Sequence, residues 1–174
     1  MALVVALAGC GSGEVTPPAP QVTGSDPVAW VGAFCGGLDK VLAGVALLAK
    51  SQPTPQGQKD GLLEFSDSAQ RAFATTAQQL GQVGQPRITD GKRVHDAAVD
   101  FFTKTAGTIG EQRAKLAGLD ANAPDFLEKA GQLQGPDLGA ATTQVQELTS
   151  NAELAPAFGT APECQRLRTP ATPR

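Results

Sequence analysis

Proline and glycine–proline breaks cut this chain into long pieces, and inside each piece apolar residues recur three and four positions apart. That spacing marks helices packed along one side. The first stretch carries Val31, Phe34, Cys35, Leu38, Val41, Leu42, Val45 and Leu48. Ser25 or Asp26 can cap it, and Pro27 suits the first helical position, where its missing N–H costs nothing. The Pro- and Gly-containing segment 51–57 ends it. A second helix is expected over residues 58–83, with Leu62, Phe65, Ala69, Phe73, Ala77, Leu80 and Val83 on one face. Gly84-Gln85-Pro86 breaks the chain again. A third helix is expected from Thr89 or Asp90 to Leu119, built on Val94, Ala98, Phe101, Phe102, Thr105, Ile109, Leu116 and Leu119. Its other face holds Lys92, Asp96, Asp100 and Lys104 at successive four-residue steps, the pattern of a solvated face with side-chain pairs.

A short helix over 125–134 follows, with Phe126, Leu127, Ala130 and Leu133 apolar. A fourth main helix is expected over 137–154, with Leu138, Ala141, Val145 and Leu148 on its face. Residues 155–167 have room for one more short helical turn, and 169–174 read as a disordered tail. No stretch alternates with period two. The expected fold is all-α: an up-down-up-down four-helix bundle over residues 25–168, with one short extra helix.

Composition limits the core and the partners. Gly occurs 20 times, aromatic residues make up 5%, and there is no Tyr. The interior must therefore be built largely from small side chains. Gly32 and Gly36 stand four apart, a spacing that lets a neighbouring helix come close. The net charge is −3 and the pI about 5.1. A domain with that balance and so few stacking rings is a poor nucleic-acid binder.

The first residues have a different character. Leu3 to Ala8 form an apolar run that ends in Leu7-Ala8-Gly9-Cys10. This motif resembles the lipobox of bacterial lipoproteins. The resemblance implies a diacylglyceryl group on the Cys10 sulfur, cleavage just before that cysteine, and in many members N-acylation afterwards. Small residues beside the scissile bond suit a tight membrane-embedded peptidase site, and Ala8 and Gly9 meet that demand. Residues 1–9 then read as the end of a signal peptide whose positively charged start lies upstream. Residues 11–24, rich in Pro, Gly and small polar side chains, read as an extended tether. At roughly 3.1 Å per residue it could hold a domain up to about 40 Å from a membrane.

Cysteine counting points the same way. The three cysteines are Cys10, Cys35 and Cys164. With Cys10 lipidated, Cys35 and Cys164 remain as one pair, which an exported domain is free to oxidise. Four antiparallel helices also return the chain to the end where it began, close to Cys35. Two buried free thiols are the alternative. The most apolar later stretch is interrupted by Asp39-Lys40, charges that are costly in a bilayer, so attachment is expected through lipid alone.

No catalytic or metal-binding pattern is present. The single histidine, His95, has no Ser nucleophile motif to serve. There is no Cys-x-x-Cys, His-x-x-x-His, Glu-x-x-His, phosphate loop or dinucleotide fingerprint. The expectation is therefore no enzyme and no cofactor. The Ala/Gly-rich helices, the early Trp30 and Cys35, and Pro162-Glu163-Cys164 also resemble small uncharacterised helical lipoproteins of actinobacteria. That resemblance brings location and fold class, and no activity.

The favoured expectation is a binding or interaction module on the extracytoplasmic face of the cell membrane, held by its lipid. Its partner would be an envelope protein or a small ligand, with no nucleic acid. Phe126, Leu127 and Trp30 are the candidate contacts. Two other readings are open. One is a ligand carrier or enzyme with a cavity between helices around His95, Asp96 and Asp100. The other is a soluble cytosolic helical protein.

Overall fold

The computed structural model describes residues 23–48, 51–133 and 138–168. They form seven helices: α1 Pro27–Leu48, α2 Pro55–Val83, α3 Gly91–Ala117, α4 Phe126–Gly131, α5 Leu138–Ser150, α6 Ala155–Thr160 and α7 Pro162–Arg168. No strand occurs among the described residues; one isolated bridge joins Ser25 and Pro86. The protein is all-α, and Cys35 and Cys164 are joined in a disulfide. No described helix is long and apolar enough to cross a membrane.

The helix ends follow from their capping chemistry. Asp26 Oδ1 accepts the backbone N–H groups of Val28, at 2.8 Å, and Ala29, at 3.2 Å, ahead of Pro27. α2 begins three residues earlier than the apolar pattern predicts. The reason is local: Thr54 Oγ1 accepts the Gly57 N–H at 3.1 Å, and Pro55 occupies the first turn. A proline there starts a helix instead of breaking one. Gly84, at φ 74°, closes α2 with its N–H on the Leu80 carbonyl at 2.9 Å.

Two later expectations are corrected. The fourth main helix stops at Ser150, not 154, because Asn151 Oδ1 accepts the N–H groups of Glu153 and Leu154. An Asn side chain that competes for backbone donors in this way favours a turn. Beyond it lie two short helices where one turn was expected, with Pro156 and Pro162 at their starts.

The long helices run antiparallel. Gly37 and Gly44 of α1 lie against Thr76 and Ser68 of α2, so numbering falls along one helix as it rises along the other. Between α2 and α3, Gln70 lies against Gly110 and Phe73 against Phe101. Arg113 Nη2 donates to Asp67 Oδ2 at 3.0 Å along the same seam. α6 and α7 pack on α1, and α5 touches α3 and α6.

Rings compensate for the shortage of large aliphatic side chains. Phe34 is the hub, stacked on Trp30 at 6.1 Å and set edge-on to Phe102 at 5.4 Å and Phe158 at 6.3 Å. Phe73 and Phe101 extend the cluster between α2 and α3. Each buried ring is worth roughly 1.5–3 kcal/mol of transfer free energy. Phe102 is fully enclosed and Phe101 half-buried, so the adjacent pair shares one wide core face. Leu42, expected in the stripe of α1, is 58% exposed. α1 meets α2 through Gly37 and Gly44, and Leu42 lies round the helix from that contact.

Candidate functional site

Two ends of the domain can be told apart by their hydrogen bonds. At one end the incoming chain is tied to the turn between α2 and α3. Ser25 N–H donates to the Gln85 carbonyl at 2.8 Å, Arg87 N–H to the Ser25 carbonyl at 2.9 Å, and Gln85 Nε2 to the Thr23 carbonyl at 2.9 Å. Gly24, at φ 154°, fits here because a Cβ would lie 2.5 Å from the Gln85 carbonyl oxygen. The same end holds Glu153, whose carboxylate accepts both the N–H of Thr89 at 2.8 Å and its hydroxyl at 2.6 Å. Those two bonds hold the Glu153 carboxyl below its ordinary range. They also set a negative charge beside the N-terminus of α3, where the helix dipole favours it.

At the other end Lys59, near the start of α2, donates to the carbonyls of Ala117, at 2.9 Å, and Leu119. This ammonium satisfies carbonyls left open at the C-terminus of α3. It ties the start of α2 to the segment leading into α4. Of the three candidate contacts, Phe126 is buried at the start of α4 and Leu127 beside it is 63% exposed. Trp30 lies towards the opposite end and is fully enclosed, so its ring belongs to the core.

The cysteines divide cleanly. Cys35 and Cys164 are bonded with Cα atoms 5.1 Å apart, and both are buried. Cys10 lies outside the described residues. The closely spaced glycines of α1 have a use: the Glu163 side chain of α7 lies over Gly32 and Gly36, so α7 can settle onto α1 around the disulfide. Arg166 then reaches towards Asp39 and Glu163 at 4.0 and 3.8 Å.

His95, Asp96 and Asp100 do not converge. His95 is half-buried, and its Nδ1 accepts the indole N–H of Trp30 at 3.2 Å. Asp96 pairs with Lys92 and Asp100 with Lys104 on the outer face of α3. Among the described residues no group of three His, Cys, Asp or Glu side chains could hold a metal ion. An open groove of about 810 Å³ runs along α1, lined by Ala29 and Ala33 together with Val83 of α2 and Arg166 of α7. A polar cleft of about 640 Å³ lies at the α1–α2 loop beside Ser51, Asp60 and Glu64.

The chain matches no protein-family model, no curated protein and no solved structure.

Proposed function

We propose that this is a lipid-anchored protein of the bacterial cell envelope, whose helical domain is a non-enzymatic interaction module. The observation that carries the reading is the Cys35–Cys164 bond. It accounts for two of the three cysteines and leaves Cys10, in the Leu7-Ala8-Gly9-Cys10 motif, as the remaining thiol. A buried disulfide that spans 129 positions suits an oxidising compartment, not the cytosol.

In this reading residues 1–9 are removed, Cys10 carries the acyl chains, and 11–24 form the tether. Two or more chains on one cysteine anchor firmly where a single chain is marginal. The tether meets the domain where Ser25 is tied to Gln85 and Arg87, which makes that end membrane-proximal. The end with Lys59, Leu119 and Leu127 then points away, and exposed Leu127 is its candidate contact with an envelope partner. We read α5 as the fourth and most lightly seated member of an up-down-up-down bundle, on the strength of its contacts with α3 and α6.

Intact mass spectrometry of the native, detergent-extracted protein tests the proposal. The expected mass begins at Cys10, carries acyl groups, and is two hydrogens lighter than a fully reduced chain. Recovery from the soluble fraction with residues 1–9 present and no acyl mass would overturn it.

A further inference from the structure

We propose that the Trp30–His95 hydrogen bond is a proton-sensitive latch between α1 and α3. Trp30 is the only tryptophan, it is fully enclosed, and its ring stacks on Phe34 at the hub of the core. Its one polar atom, the indole nitrogen, donates to His95 Nδ1 at 3.2 Å across 65 positions of sequence. An imidazole can accept at Nδ1 only when that nitrogen carries no proton, so the neutral ring holds its hydrogen on Nε2. His95 is half-buried, which leaves the ring within reach of solvent protons while the indole is not.

Protonation makes both ring nitrogens donors. Nδ1–H then faces the indole N–H, and neither can accept. The indole is sealed inside the core, so its N–H loses its acceptor and has no water to replace it. A buried donor without a partner is costly, and the cheapest relief is for α1 and α3 to part locally. Histidine side chains as a class change charge between pH 5 and 8, and that is the range over which the latch is tested.

Most of the charged groups on the surrounding elements are engaged with other partners. On α3, Asp96 pairs with Lys92 and Arg93 with Asp90. Ahead of α1, Asp26 accepts the N–H groups of Val28 and Ala29. Between α5 and α6, Glu153 accepts from Thr89, and on α7 Glu163 lies near Arg166. Arg87, on the α2–α3 turn, is exposed. Among the described residues no carboxylate is hydrogen-bonded to the imidazole to hold its protonated form in place.

The test uses the intact, disulfide-bonded chain labelled with nitrogen-15, in which a single indole resonance reports on Trp30. Lowering the pH from 8 to 5 should move that resonance along a one-proton curve. Exchange of the indole hydrogen with solvent should rise by about tenfold or more, the order expected for loss of one hydrogen bond. His95→Asn places an amide oxygen near the position of Nδ1 and does not titrate, so its indole resonance should stay fixed over that range. The histidine nitrogen spectrum of the unmodified protein at pH 8 should show the proton on Nε2. A proton on Nδ1 at pH 8, or an unmodified indole that does not respond between pH 8 and 5, would overturn the proposal. So would an equal response in a folded His95→Asn variant.

Discussion

Gly37 of α1 lies directly against Thr76 of α2: a Cβ on Gly37 would overlap the Thr76 hydroxyl and methyl groups. Thr76 has no room to withdraw, since it is fully buried and its hydroxyl donates to the Ala72 carbonyl at 2.7 Å. In an open helix Gly→Ala stabilises by up to about 1 kcal/mol. Here the overlap decides the sign, and Gly37→Ala is expected to destabilise by about 1–3 kcal/mol. Gly81→Ala and Gly107→Ala are the controls. Both positions are exposed and helical with nothing nearby for a Cβ to meet, so both should stabilise by about 0.5–1 kcal/mol. Urea midpoints of the three variants read the signs directly. A stabilised Gly37→Ala would mean that α1 and α2 can separate without loss.

The disulfide closes a loop of 129 positions. Chain entropy alone predicts on the order of 5 kcal/mol for a loop of this length, and measured losses of native bridges run about 2–5 kcal/mol. Cys35→Ala with Cys164→Ala should lower stability within that range, read as the shift in urea midpoint. Both sulfurs are buried, so the bond should also resist mild reductant until the domain opens. Rapid reduction of the folded protein would show that α7 leaves α1 far more readily than its packing implies.

The three long helices could be read from residues alone because each carries a continuous apolar stripe with recognisable breaks. Val31, Phe34 and Leu38 in α1, Phe73 and Leu80 in α2, and Val94, Ala98 and Phe102 in α3 all lie in or against the core. The Cys35–Cys164 pair was reachable by counting and by the return of the chain. Other features left no local trace. Thr54 and Pro55 look like loop residues until one sees that they cap and begin α2. α6 and α7 are each under two turns, too short to display a period. Trp30 with His95, and Thr89 with Glu153, are polar pairs made across more than sixty positions, and nothing beside either partner announces the other. Chemistry of that kind is set by packing and cannot be read from spacing.

Phe126 and Leu127 are adjacent and do opposite things. Phe126 is 2% exposed and Leu127 63%. Phe126→Ala should cost about 3–5 kcal/mol as a buried ring deleted from a packed site. Leu127→Asp should leave the melting temperature within about 2 °C, as surface changes generally do. If the tip is the contact surface, Leu127→Asp should also abolish crosslinking to an envelope protein that the unaltered, membrane-anchored protein captures. Unchanged crosslinking by a fully folded Leu127→Asp protein would move the contact elsewhere on the domain.

Acid should weaken the joint between α3 and the segment that follows α5. The Thr89 hydroxyl, and then its N–H, hold the Glu153 carboxyl below its ordinary value in the folded protein. The folded state therefore favours the ionised form. The stabilisation is complete above the unfolded-chain value near 4.5 and is lost as pH falls through the lower folded value. Glu153→Gln cannot ionise and should already lack this contribution at pH 6. The gap in urea midpoint between the unaltered protein and Glu153→Gln should thus be largest at pH 6 and shrink steadily below pH 4.5. A gap of constant size from pH 6 down to pH 3 would show that the Thr89 contact acts through shape and not through the charge on Glu153.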